Sequence, residues 1–291
     1  MRYTPSPVRR IKGLIRRIVN LAIIAAVLFV AGNVLLASLR DNKTPTAPDT
    51  EIAQLLKVIL PESTPGQDIQ YTGFTVNFNP EMHVPNYVAW DLTAEKVHGT
   101  IPRKNDFKAD PNVAGCSTID DYYKSGFDRG HMAPSADMKW NNDAMSDCFY
   151  LTNMCPQTSN LNSGRWNQLE TKCRQWVEQD STLIIICGPI LTDRLTRTIG
   201  DSKVIVPQRF FKIIYAPYAA EPMMLAFVLS NNALPEQLKE ASRSVDEIEE
   251  LTGLDFFSTL PDEVENVLEA KNSYGIWNST HKPHNQKKSR R

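Results

Sequence analysis

Stretches 183–187, 203–206, 210–215 and 223–229 are short apolar runs, and each reads as a strand. Upstream, 71–78 alternates apolar with polar residues and 86–93 comes after a proline-bounded turn; two strands joined by a loop suggest antiparallel pairing. Helical patterns are inserted among the strands. Trp166, Leu169, Cys173, Trp176 and Val177 recur at steps of three, four, three and one, an apolar stripe that predicts a helix over 165–177. Ser244 and Glu247 have capping-box spacing and Gly253 offers a stop, so a short helix is expected over 244–252, and another over 261–268. There is no internal repeat and no regular strand–helix–strand alternation. The pattern favours an α+β fold with a mainly antiparallel sheet flanked by helices.

The N-terminus reads as a membrane signal. Residues 18–39 are uncharged for 22 positions and are bracketed by Arg17 and Arg40. A bilayer-spanning helix needs about 20 mainly apolar residues. Six basic residues precede the run, so the positive-inside tendency holds 1–17 in the cytoplasm and exports the chain beyond residue 39. The expectation is an uncleaved transmembrane signal-anchor, with the membrane as a partner and the main domain on the extracytoplasmic side. Two alternatives stay open. One is secretion after signal cleavage, although an h-region usually has about 7–15 residues. The other is a mitochondrial presequence, although this run is apolar rather than amphipathic. Residues 40–70 read as a linker, 71–270 as the folded domain, and 271–291 as a disordered basic tail.

The formal net charge of −1 hides an asymmetry. Residues 1–40 hold seven basic residues and no acidic ones, and 280–291 hold five and none. The body between them keeps 20 basic against 33 acidic residues, near −13. Such a body repels a phosphate backbone at long range. Binding nucleic acid would require a local basic cleft and a divalent cation, or help from the tail. Of the five cysteines, Cys187 sits in a buried-strand pattern and reads as a core thiol. Cys116, Cys148, Cys155 and Cys173 are expected to form one or two disulfides, in any of three pairings. A zinc site is the weaker reading, because there is no Cys-x-x-Cys pair.

The chemistry concentrates in two segments. The first, 126–137, places His131 beside Arg129 and Gly130, with Asp128 and Asp137 close by. A histidine near its ordinary pKa of about 6.5 can take a proton from water at neutral pH. A lone histidine is more often structural, but this one is flanked by an arginine suited to an anionic substrate. The second, 150–174, supplies Asn153, Asn162, Glu170 and Arg174. Asn162 sits where the 165–177 helix should begin, so on composition alone it reads as a helix N-cap. Glu170 and Arg174 fall four apart and alone would read as a surface ion pair.

Asp128-Arg129-Gly130-His131-x-Ala133-Pro134, then Asn153-x-x-Pro156-Gln157, then Asn162-x(3)-Trp166-x-x-Leu169-Glu170 resemble, in order and spacing, the DNA/RNA non-specific endonuclease family. This is the endonuclease G-like branch of the His-Me finger, or ββα-metal, nucleases. The resemblance runs from about residue 71 to about 268. It implies a ββα-metal core and a metal-dependent endonuclease acting on DNA and/or RNA. It assigns His131 as general base and Asn162 as ligand of Mg²⁺, with Mn²⁺ as the substitute. Glu170 would orient hydrated metal, Arg129 and Arg174 would contact phosphate, and Asn153 would support the site by hydrogen bonding. Asp128 and Gly130 would be structural. Arg103, upstream of Phe107-Lys108-Ala109-Asp110, resembles a further phosphate-contacting arginine of the family. The rivals are a membrane-tethered nucleic-acid-binding protein with an inactive nuclease fold and a phosphodiesterase for small substrates. The sequence does not fix the oligomeric state, and a homodimer is compatible with it.

Overall fold

The computed structural model describes residues 59–61, 64–194, 197–219 and 221–281. In chain order its strands are β1 (Gln67–Tyr71), β2 (Phe74–Asn79), β3 (Val84–Thr93), β4 (Asp128–His131), β5 (Met154–Gln157), β6 (Thr182–Pro189), β7 (Thr198–Ile199), β8 (Val204–Ile205), β9 (Arg209–Ala216), β10 (Met223–Ser230) and β11 (Ser242–Arg243). Seven of them form one sheet in the order β1-β2-β3-β6-β9-β10-β11. Every neighbouring pair in it is antiparallel. The expected mainly antiparallel α+β fold is what the structure shows. The 71–93 pair is β2–β3, with a register shift at Asn77/Phe78.

The central strands are buried on both faces, as β6 illustrates along its whole length. Period-two alternation divides their side chains between two apolar layers. Val88, Trp90 and Leu92 of β3 point into one layer; Tyr87 and Ala89 point into the other. The first layer is closed by α2 (Asn167–Asp180), which comes after α1 (Asn142–Asp147), through Leu169, Cys173, Trp176 and Val177. These are the stripe residues of the sequence, and burying each of the larger ones contributes roughly 1.5–3 kcal/mol. The second layer is closed by α3 (Val245–Thr252) and α4 (Asp262–Glu269) through Val245, Ile248, Val264 and Leu268. The Ser244 hydroxyl accepts from Glu247 N at 3.2 Å and Ser244 N donates to the Glu247 carboxylate at 2.7 Å, so the capping box forms. Gly253 ends α3 with φ +71°.

Three expectations change. The upstream limit at 71 cuts into the fold: β1 starts at Gln67, and Ile59 is fully buried in the second layer. The tail drawn as disordered from 271 contains α5 (Tyr274–Thr280). Trp277 of α5 is 1% exposed, its ring 5.6 Å from that of Trp176, and His281 pairs with Asp180 at 2.7 Å. Few apolar residues among polar neighbours gave no periodic signal, yet Trp277 anchors the segment. Finally, all five cysteines are free thiols, and Cys148, Cys155, Cys173 and Cys187 are buried. Burial among apolar side chains, rather than pairing, accounts for them. Residues 1–58, with the run 18–39 and most of the expected linker, and the tail from 282 lie outside the described residues.

Candidate active site

The site lies on the first layer, where the β4–β5 hairpin meets α2. Its register places Gly130 opposite Cys155 and His131 opposite Met154. A Cβ on Gly130 would lie 2.2 Å from the Gln157 amide oxygen, so the residue before His131 must be glycine for the hairpin to close. Asn153 clamps the turn after β4. Its amide oxygen accepts from Ala133 N, and its amide nitrogen donates to Ala133 O and Cys148 O, all at 2.9 Å. Fully buried and fully engaged, Asn153 positions the segment carrying His131 rather than facing a substrate.

His131 is 8% exposed and packs between the rings of Phe107 and Phe149, at centroid distances of 5.5 and 5.1 Å. The Trp166 indole donates to the His131 carbonyl at 3.1 Å, tying the end of β4 to the start of α2. The imidazole Nε2 of His131 is buried without a hydrogen-bond partner among the described residues. Burial, and after it the positive charges of Arg103 and Arg129, holds its pKa down at about 3. The imidazole is therefore neutral at physiological pH.

A cleft of about 430 Å³ opens beside it, lined by Arg103, Phe107, Asp128, Arg129 and Asn162 among others. Both arginines lie over aromatic rings: Arg129 is 4.2 Å from the Phe107 centroid and Arg103 is 5.1 Å from that of Phe149. Arg103 is further fixed by donating to Ser135 Oγ at 2.7 Å. Stacking orients each planar guanidinium without consuming its charge. Asn162 falls in a wide π-helical turn over Leu161–Trp166 that leads into α2, with non-helical backbone at Gly164 (φ −99°, ψ −105°). The Asn162 amide donates to Asp128 at 3.0 Å, and Ser159 donates to the other Asp128 oxygen at 2.8 Å. Asp128 thus sets which way the Asn162 amide points, leaving its carbonyl oxygen as the acceptor.

Glu170 and Arg174 stand deeper and do not line the cleft. Arg174 pairs with Asp137 at 2.8 Å, and Asp137 also accepts from the Trp90 indole at 3.1 Å. Burial pushes Asp137 upward against the pull of Arg174. Burial raises Glu170 to about 7, opposed mainly by the charge of Lys212. Lys212, on β9, was missed by the sequence reading. It is 1% exposed, its ammonium 4.3 Å from the Trp166 ring and 5.0 Å from the Trp90 ring. The signal was present: one charge inside the apolar run 210–215. Arg174, expected to contact phosphate, is instead committed to Asp137, and with Glu170 and Lys212 the pair forms a charge cluster behind the cleft.

Among the described residues one carboxylate group, Asp246, Glu249 and Glu269, has the spacing of a metal site. It sits on α3 and α4, across the sheet from His131, and burial raises Glu249 to about 7 and Glu269 to about 9.

Comparison with known proteins gives the family. The model of the family described as DNA/RNA non-specific endonuclease matches residues 52–263, and the chain belongs to that family. The mouse protein named nuclease EXOG, mitochondrial, is 35% identical over 209 residues, covering 66% of this chain and 57% of its own length. Nuclease 1, mitochondrial, of Schizosaccharomyces pombe is 32% identical over 210 residues, covering 65% of each. The chain thus spans less than two thirds of the length of these relatives. A chain in the crystal structure of the EndoG/EndoGI complex superposes with a TM-score of 0.68 at 27% identity, covering 74% of this chain and 95% of that one.

The relatives overturn the expectation of an extracytoplasmic, membrane-anchored domain. Both are named mitochondrial. Among the described residues no helix is long and apolar enough to cross a membrane. The run 18–39 that carried the expectation lies outside the described residues.

Proposed function

We propose that this chain is a metal-dependent endonuclease that hydrolyses DNA and RNA phosphodiester bonds with little sequence preference. The setting of His131 carries the reading: a buried, neutral imidazole with two stacked guanidinia beside it, Arg129 and Arg103, and with Asn162 in the same cleft. His131 takes the proton from a water that attacks phosphorus in line. Arg103 and Arg129 grip the non-bridging oxygens and offset charge as it develops. The same two cations depress the imidazole, and a phosphate bound between them cancels much of their field. Substrate binding thereby raises the basicity of His131 when a base is required. The leaving group is the 3′ oxygen, so the products carry 5′-phosphate and 3′-hydroxyl ends. Contacts aimed at phosphates carry no base information, which accounts for low sequence preference.

The residues suit a hard cation. Asn162 offers a neutral carbonyl oxygen fixed by Asp128, a donor that fits Mg²⁺ or Mn²⁺ with a retained water shell, and Glu170, deeper than the cleft lining, would orient that shell through water rather than bind the ion. Bound there, such an ion would supply Lewis-acid stabilisation of the charge at phosphorus.

The test incubates the protein with supercoiled plasmid and with RNA, in Mg²⁺ and in EDTA, beside His131→Ala and Asn162→Ala. Metal-dependent degradation of both substrates, lost in both variants, is the expected result. A folded wild-type protein that cleaves neither substrate with any divalent metal would leave the inactive, nucleic-acid-binding reading in its place.

A further inference from the structure

One wall of the cleft has no part in the chemistry above. Segment 118–125 forms it, and contributes Ile119, Tyr122, Tyr123 and Lys124 to the lining. Tyr122 is 5% exposed and roots the segment in the core. Its neighbour Tyr123 is 71% exposed, and Ile119 is 45% exposed. Large apolar residues this exposed are few among the described residues, and two of them stand on this one rim. Lys124 adopts φ +52°, in the left-handed region that disfavours side chains. The Lys124 ammonium lies 5.0 Å from the Tyr123 ring.

The charge of the same cleft points the same way. Arg103, Lys124 and Arg129 line it against one carboxylate, Asp128, which is already held by Ser159 and Asn162. A cationic floor that suits phosphate, next to an exposed aromatic face, matches the two halves of a nucleotide. Base faces stack on aromatic side chains in a sequence-tolerant way. In a duplex those faces are covered by neighbouring base pairs, so only an unpaired base can lie on Tyr123.

Resting on the nuclease reading, we propose that Tyr123, with Ile119 beside it, is a base-stacking subsite that takes an unpaired nucleobase of the substrate strand and biases cleavage towards single-stranded nucleic acid. The subsite is a binding element and takes no part in proton transfer. Because Tyr123 is exposed, its truncation removes the stacking face without opening the core.

The experiment compares wild type, Tyr123→Ala and Tyr123→Phe on one oligonucleotide sequence in three forms: single strand, duplex, and single strand with abasic sites. The ratio of single-strand to duplex kcat/KM falls roughly thirtyfold in Tyr123→Ala, the middle of the range for losing one stacked base. Tyr123→Phe restores the ratio, and the abasic strand abolishes the difference between wild type and Tyr123→Ala. Equilibrium binding of the same single strands in EDTA reads the subsite independently of cleavage. Wild type that cleaves nucleic acid, with an unchanged ratio and unchanged binding in Tyr123→Ala, overturns the subsite and leaves the nuclease reading intact. Wild type that binds through Tyr123 yet cleaves nothing has the opposite meaning. A change in oligomeric state on Tyr123→Ala, with the substrate ratio unaltered, would make this rim a protein contact and would also overturn the subsite.

Discussion

Replacing His131 with leucine should make the protein's stability less sensitive to acid. The unfolded chain offers a histidine of ordinary pKa, about 6.5. In the folded protein burial and the two arginines lower that value to about 3. Between these values the unfolded state binds a proton that the folded state refuses, so stability rises with pH across the window and falls as acid is added. Each unit of separation corresponds to about 1.4 kcal/mol. At pH 7.5 neither state is appreciably protonated at this site. At pH 5 the wild type should have lost about 2 kcal/mol through His131 alone, and towards pH 3 the loss approaches about 5 kcal/mol. Leucine cannot titrate, so any packing it gains or loses is the same at every pH. Glu170 titrates in a neighbouring window in both proteins and largely drops out of the comparison. The assay is urea denaturation in EDTA at pH 7.5 and pH 5.0. The wild-type minus variant stability should shift by about 2 kcal/mol against the wild type at the lower pH. A difference that stays constant would refute the burial argument and with it the reason for calling the base neutral.

Glu170 gives the opposite sign. Its folded pKa is raised to about 7, so the stability it contributes is complete below about 4.5 and is lost as pH rises through 7. Glu170→Gln should therefore gain about 3 kcal/mol relative to wild type between pH 4 and pH 8.5, read by the same denaturation series. Arg174→Ala strands a carboxylate, Asp137, that is 1% exposed, and should cost about 3–5 kcal/mol. Adding Asp137→Asn should recover part of that loss, and no recovery would mean the pair is not coupled. Trp277→Ala should cost about 3–5 kcal/mol, as for a large core truncation, whereas a disordered tail would make it silent in thermal melts.

Most of the sheet was legible because its signal is local. Strands β6, β9 and β10 coincide with the apolar runs at 183–187, 210–215 and 223–229 to within two residues. The stripe from Trp166 to Val177 marked the buried face of α2, and the capping residues marked the start of α3. The candidate site was legible as a set of residues but not as an arrangement. Spacing could not show that Arg174 turns inward to Asp137 while Arg103 and Arg129 stay at the cleft, since that depends on contacts spanning 37 residues. It could not assign Lys212, whose role comes from lying between two indoles of distant segments. The free thiols and α5 escaped for one reason: both depend on burial by parts of the chain far away in sequence.

The wide turn at 161–166 has a consequence for how this protein can change. A helical residue advances the side-chain direction by about 100° around the axis. Helix α2 is pinned to the sheet by Trp166, Leu169 and Trp176, so its phase is set from below. Deleting one residue between Asn162 and Trp166, or inserting one, would shift Asn162 around the turn and take its amide away from Asp128. Glu170 and Arg174 would stay where they are. The stretch should thus accept many substitutions yet refuse any change in length. In a library of variants its deletions should yield folded proteins that lose the divalent-metal dependence proposed for Asn162.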